Sequence, residues 1–133
     1  MSMEKKFKIP AKSEYLAGLR AELQDLMNQS GFDEKIMSGL SLAIDEALTN
    51  VIRHGYDHHD GFIEIEYKDY ADRVEIAIRD QGKLFDPLSL PTPKLPPTQP
   101  GGLGVHFIRT LADKVTYSVR DSQTNELRLI KNK

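Results

Sequence analysis

The spacing of apolar residues changes once along the chain, and this change restricts the possible folds more than any other feature. Between Leu16 and Val51 apolar residues recur every three or four positions, which predicts two amphipathic helices, the first capped by Ser13 and the second by Asp33. Between residues 63 and 78 apolar residues alternate with mostly charged ones, which is typical of a hairpin with one buried face. The chain is therefore predicted to combine helices with antiparallel strands.

Shorter segments complete the predicted order of elements. Strands are expected at residues 6–9, 115–119 and 127–131, and a third helix at residues 103–113. The resulting order is β-α-α-β-β-loop-α-β-β. It predicts an α+β fold, a two-layer sandwich in which three helices lie on one face of a mostly antiparallel mixed β-sheet.

Proline is concentrated in a single segment. Six of the seven prolines lie between residues 82 and 101, which excludes a helix or a central strand there. A connection of about twenty residues is long for so small a domain, and such connections are usually functional or disordered. This segment is the first indication that the protein binds a ligand.

Composition excludes several classes of function. The chain has 133 residues, enough for one domain spanning residues 1–133, and it has no cysteine, so disulfides, thiolate metal sites and cysteine nucleophiles are excluded. A formal net charge of -2 gives no electrostatic footprint for nucleic acid or membrane. Because no apolar run suits a signal peptide or a membrane span, a cytoplasmic domain is expected.

Two short motifs carry side chains suited to chemistry. Glu46 and Asn50 are four residues apart and lie on one side of the second predicted helix, with Arg53 nearby. Such a pair is often only a solvated helix face, although a carboxylate can accept a proton and an amide oxygen can bind a hard cation. Asp80 and Gly82 follow a buried strand, which indicates either a simple turn or a carboxylate that accepts from an exocyclic amine beside a glycine that lets a flat ring approach.

A third motif is the glycine cluster GGLGV at residues 101–105, where the third predicted helix begins. Closely spaced glycines before a helix expose backbone N–H groups, which suits phosphate. The cluster is weak evidence by itself, because any helix entry can carry glycines. It is not a dinucleotide-binding fingerprint, since it follows a proline-rich loop rather than a strand.

Taken in order, the motifs resemble those of a known superfamily. Glu-x3-Asn on a helix, Asp-x-Gly after a strand, a long loop and Gly-x-Gly at a helix start resemble the N-box, G1 box, ATP lid and G2 box of the GHKL (Bergerat-fold) ATPases. More narrowly, DEALTN at 45–50, RHGY at 53–56 and GGLGV at 101–105 are similar to the anti-sigma-factor serine kinases of the RsbW/SpoIIAB type. The resemblance extends over nearly the whole chain and makes residues 83–101 the ATP lid.

The resemblance implies a role for each motif residue. Glu46 would be the general base that takes the proton from a serine or threonine hydroxyl, Asn50 would bind Mg²⁺, and Asp80 would accept from the adenine amino group. Gly82 would make room for the ring, and Arg53 would add positive charge near the phosphates. Backbone N–H groups would bind the phosphates at Gly102, Leu103, Gly104 and Val105.

The implied function is that of an ATP-dependent protein serine/threonine kinase in the bacterial cytoplasm, using Mg-ATP. The implied partners are a STAS-type anti-sigma-factor antagonist and a sigma factor, with no direct contact to nucleic acid or membrane. The family commonly forms homodimers, for which the first helix and the edge strand are candidates.

Two alternatives stay open. The chain could be a nucleotide-binding or degenerate interaction module without kinase activity, or an ATPase whose nucleophile is water. The sequence departs from the family pattern at Leu84, where a second glycine often stands in the G1 box. A larger side chain there would stiffen the lid hinge or narrow the pocket.

Overall fold

The structure is a computed structural model that describes residues 3–57, 59–86, 88, 110 and 112–133. The strands and helices, in chain order, are β1 (Met3–Pro10), α1 (Leu16–Gln29), α2 (Glu34–Asn50), β2 (Phe62–Asp69), β3 (Arg73–Asp80), β4 (Lys114–Arg120) and β5 (Thr124–Asn132). A short 3-10 turn, Ser13–Tyr15, precedes α1, and a π-helical turn, Val51–Gly55, continues α2. Within the described residues, neither helix is both long and apolar enough to cross a bilayer.

The strands form one five-stranded sheet in the order β1-β2-β3-β5-β4. Every pairing between described strands is antiparallel, and the register places Ile65 opposite Ile78 and Ile78 opposite Leu127. All the predicted strands are therefore confirmed. The expectation of a mixed sheet is wrong for the described strands, because successive strands either join through tight turns or return to the sheet in the opposite direction.

Both helices pack against the same face of the sheet. Alternate strand residues and the inner faces of α1 and α2 form one continuous apolar core, represented by Leu23, Leu40, Ile44, Ile65, Ile76 and Leu129. The opposite face of the sheet carries ion pairs, among them Arg79 with Glu126 at 2.6 Å. This arrangement confirms the α+β class with helices on one face. The third predicted helix, residues 103–113, lies outside the described residues except for Thr110, which is helical, and positions 112 and 113.

Of the two predicted helix N-caps, one is confirmed and the other is wrong. Asp33 is the N-cap of α2, and its Oδ1 accepts from the Ile36 N–H at 2.8 Å, as predicted. Ser13 is not the cap of α1, because the chain is already turned at Ser13 and the last extended residue is Lys12. A capping side chain needs extended backbone at its own position, so the 3-10 turn removes Ser13 from that role.

Candidate functional site

A cleft of about 430 Å³, including the part open to solvent, lies between the end of α2 and the adjoining ends of β3, β4 and β5. The walls are mostly apolar, with a few polar groups converging on them. The lining residues are Ala47, Asn50, Val51, Gly55, Ile78, Asp80, Lys83, Phe85, Tyr117, Asn125 and Leu127.

Asn50 is the last residue of α2 and lines the cleft. Its side chain is buried, with 8% of the residue exposed. Within the part of the chain that the structure describes, its Nδ2 has no hydrogen-bond partner. Because an unpaired buried amide normally carries a free-energy penalty, this group suits a polar ligand in the cleft.

Asp80 ends β3 and lies in the same cleft, with only 6% of the residue exposed. Its Oδ1 accepts two hydrogen bonds, from the Gly82 N–H at 2.9 Å and from Asn125 Nδ2 at 3.0 Å. Among the described residues, no group donates to Oδ2. Burial raises the pKa of Asp80 above its ordinary value and outweighs these two hydrogen bonds, which lower it. The carboxylate is thus oriented by one oxygen and can accept through the other.

Gly82 lies against the backbone at the end of α2. A Cβ placed on Gly82 would meet the carbonyl carbon and oxygen of Gly55 at 2.6 Å each. The Lys83 N–H donates to the same Gly55 carbonyl at 2.7 Å. The glycine is therefore required by the close backbone approach between the loop after β3 and the π-helical turn after α2, whatever space it also leaves for a ligand.

Tyr56, which directly follows the π-helical turn, makes a second connection to the loop after β3. Its hydroxyl donates to the Phe62 carbonyl at 2.8 Å and accepts from the Gln81 N–H at 2.9 Å. Its ring lies against Gly61, where a Cβ would approach it to 2.4 Å. Tyr56 belongs to the RHGY motif, but the motif indicates no role for it, because its hydrogen-bond partners are on other elements.

Asn125 and Tyr117 line the cleft from β5 and β4, and no sequence motif indicates either of them. Asn125 is buried, with 6% of the residue exposed, and its side chain bonds to Asp80 and to the residues after it. Its only local signal is a polar residue near the start of a strand, which is ordinary. The predicted strand began at residue 127, so Asn125 also lay outside it.

Of the predicted site residues that the structure describes, Asn50 and Asp80 line the cleft, whereas Glu46, Arg53 and Gly82 do not. Arg53 is exposed and lines a different surface depression together with Thr49 and Ile52. A role for Arg53 at the phosphates stays a prediction. Glu46 is half-buried on α2, one turn before Asn50 and about 6 Å from it along the helix axis.

The remaining predicted positions lie between residues 84 and 105, most of which are outside the described residues. Gly102, Leu103, Gly104 and Val105 lie outside the described residues, as does most of the 83–101 segment. Leu84 is described and is 48% exposed. It does not line the cleft, so its side chain does not narrow it.

The α2 helix ends in an unusual way beside the cleft. The π-helical turn Val51–Gly55 widens the last turn, and such turns occur often at functional sites. It directs the Gly55 carbonyl toward Lys83 and continues into Tyr56. The sequence predicted that the helix would stop near this point but gave no indication of the wider turn.

Comparison with known proteins agrees with this geometry. Residues 9–131 match the family model described as the histidine kinase-like ATPase domain. The chain is 36% identical over 119 residues to the serine-protein kinase RsbW of Bacillus cereus strain AH187, covering 81% of this chain and 72% of that protein. It is also 36% identical over 117 residues to the serine-protein kinase RsbW of Oceanobacillus iheyensis, covering 81% and 74% respectively. The chain therefore belongs to the histidine kinase-like ATPase family and, within it, to the serine-protein kinases of the RsbW type.

Proposed function

We propose that this protein binds Mg-ATP in the cleft between Asn50 and Asp80 and transfers the γ-phosphoryl group to a serine or threonine of a STAS-type antagonist protein. The observation that carries the proposal is the convergence of two buried polar side chains, each with unused hydrogen-bonding capacity, on one apolar cleft. Family membership supports the choice of nucleotide.

The base of the nucleotide fits the Asp80 end of the cleft. The free Oδ2 of Asp80 accepts from an exocyclic amino group, while the Oδ1 is held by the protein. Ile78, Leu127 and Phe85 supply apolar contacts for a flat ring. Guanine would present a carbonyl oxygen where adenine presents an amine, leaving two acceptors face to face.

The Asn50 end fits a magnesium-bound triphosphate. An amide oxygen is a suitable Mg²⁺ ligand, and Mg²⁺ usually takes its remaining ligands from phosphates and water. The amide nitrogen, which lacks a partner among the described residues, donates to a phosphate oxygen. Bound there, the ion would neutralise charge on the phosphates, and the backbone N–H groups of residues 102–105 would hold the far end of the triphosphate.

Glu46 supplies the base for transfer. Its carboxylate accepts the proton of the attacking hydroxyl, whose oxygen forms a bond to the γ-phosphorus as the bond to the β–γ bridging oxygen breaks and ADP leaves. The position of Glu46 supports this role, because it lies one turn before Asn50 on the same side of α2. Its half-buried side chain leaves it accessible to a protein substrate.

The relatives named serine-protein kinase RsbW support a protein serine as the phosphate acceptor. The resemblance in sequence motifs makes a STAS-type antagonist the proposed acceptor and a sigma factor the proposed regulated partner, in the cytoplasm of a bacterium. A homodimer would use α1 and β1, since β1 is an edge strand of the sheet.

The proposal is tested by calorimetry followed by a transfer assay. The unaltered protein should bind Mg-ATP and Mg-ADP, and Asn50→Ala should weaken Mg-ATP binding at least about tenfold, because a buried ligand to the metal is lost. Asn132→Ala is the matched control, since Asn132 is exposed on β5 away from the cleft. Absence of nucleotide binding by the unaltered protein would refute the proposal.

Transfer of labelled phosphate is then measured with purified STAS-domain proteins of the same genome as acceptors. Glu46→Ala should retain nucleotide binding and lose transfer. Nucleotide binding without transfer to any of them would favour the interaction-module alternative. Release of free phosphate without an acceptor would favour the ATPase alternative.

A further inference from the structure

Asn125 uses all of its side-chain hydrogen-bonding groups within the cleft. Its Nδ2 donates to Asp80 Oδ1 at 3.0 Å and to the Lys83 carbonyl at 3.1 Å. Its Oδ1 accepts from the Phe85 N–H at 3.2 Å and from the Tyr117 hydroxyl. One buried side chain on β5 therefore connects β3, β4 and the start of the 83–101 segment.

These bonds have two consequences for the base site. First, together with the Gly82 N–H they occupy Asp80 Oδ1, so the carboxylate is held in one orientation and Oδ2 is the oxygen available to a ligand. Second, they fix the backbone of residues 83–85 along the edge of the cleft. The Phe85 N–H, which can only donate, and the Lys83 carbonyl, which can only accept, fix the orientation of the Asn125 amide. The Tyr117 hydroxyl adds a further hydrogen bond to Oδ1.

We propose that Asn125, supported by a hydrogen bond from Tyr117, is the positioning residue of the nucleotide-base site, which presents Asp80 to the base and anchors residues 83–85 at the edge of the cleft. This inference rests on the proposed function, since it assigns a residue to the same site. An apolar residue of similar size at position 125 would fill the space but leave Asp80, Lys83 and Phe85 without these partners, so packing alone does not account for an amide here.

The informative variant is Asn125→Asp, which keeps the shape and replaces two donors with a carboxylate facing Asp80. Two adjacent carboxylates cannot both ionise without strong repulsion, so they will share a proton at lower pH. The other titratable groups near position 125 are Tyr117, Lys83 and Asp86. At pH 8 we expect Mg-ATP binding to be at least about tenfold weaker than in the unaltered protein, as for loss of hydrogen bonds to a charged group.

The ratio of the Mg-ATP dissociation constant of Asn125→Asp to that of the unaltered protein should then fall as the pH is lowered from 8 to 6, because a protonated carboxyl at position 125 can again donate to Asp80. A residue that only stabilised the fold would change the melting temperature without this pH-dependent ratio. Asn132→Asp is the matched control on the same strand and should leave the ratio near one at every pH.

Tyr117→Phe is the second variant, and it remains informative if Asn125→Asp fails to fold. It removes only the hydroxyl of a half-buried side chain that hydrogen-bonds to Asn125 Oδ1, and should weaken Mg-ATP binding about threefold or more. If Asn125→Asp folds and binds Mg-ATP as tightly as the unaltered protein, the inference alone is refuted. If Asn125→Asp does not fold, equal Mg-ATP affinity of Tyr117→Phe and the unaltered protein refutes it. Absence of binding by the unaltered protein would refute the proposed function and the inference together.

Discussion

Gly82→Ala is the substitution whose effect follows most directly from the geometry. The added Cβ would lie 2.6 Å from both the carbonyl carbon and the oxygen of Gly55. All three nearest atoms belong to backbone, so no side-chain rotation can relieve the contact. Either the loop after β3 or the π-helical turn must move away.

The expected loss of stability has two parts. Forcing an extra methyl group into a closed contact typically destabilises a protein by about 1–3 kcal/mol. Separating the two segments also lengthens the hydrogen bond from the Lys83 N–H to the Gly55 carbonyl, now 2.7 Å, which is worth about 0.5–1.5 kcal/mol. We expect a loss of about 2–4 kcal/mol, or about 6–15 °C in melting temperature for a chain of 133 residues.

Differential scanning calorimetry measures the shift, and Gly18→Ala provides a control of opposite sign. Gly18 is exposed in α1, and a Cβ there would meet nothing within 4 Å. That variant should gain roughly 0.5–1 kcal/mol from helix propensity. If Gly82→Ala melts within 2 °C of the unaltered protein, roughly 0.5 kcal/mol, the close approach of the two backbones does not exist in solution.

Three further predictions concern the site and the outer face of the sheet. Tyr56→Phe should lower the free energy of unfolding in urea by about 1–2 kcal/mol, because its hydroxyl bridges two backbone groups, whereas Tyr15→Phe should change it by less than about 0.5 kcal/mol. Asp80→Asn should raise the melting temperature at pH 7, because burial raises the pKa of Asp80 and its ionised form opposes folding; the gain should disappear as the pH falls toward 3.8. Calorimetry of that variant should also show loss of the preference for ATP over GTP, which we expect to be at least about tenfold in the unaltered protein. Arg79→Met should lower the free energy of unfolding by about 1–3 kcal/mol at pH 7. Burial raises the pKa of Glu126, but its hydrogen bond and ion pair with Arg79 lower it overall. Urea titrations at several pH values should therefore show the loss shrinking as the pH falls below 4.5.

The elements of the fold could be read from the sequence because their signals are local. The three-to-four-residue spacing in α1 and α2 and the alternation in β2 and β3 reflect which side of each element faces the core. Capping by Asp33 is equally local, since donor and acceptor are three residues apart. Ser13 failed as a cap because a 3-10 turn and an α-helix begin with the same residue types.

The site could be read only in part. Asp80 and Asn50 belong to short motifs, and the structure places both in one cleft. Arg53 lies within the widened turn Val51–Gly55, and it faces a different depression. No local pattern reports that a helix ends in a π-helical turn, because the wider turn depends on what the helix end packs against.

The sequence by itself determined the fold class, the order of the described elements and the family, because periodicity and motif spacing are properties of neighbouring positions. Only the tertiary structure decided how the motif residues act together. The partners of Asp80 come from the Gly82 backbone and from Asn125, which is 45 residues away along the chain. Contacts between residues so distant depend on sheet register and on the close approach of Gly55 to Gly82, and neither is encoded in any single segment.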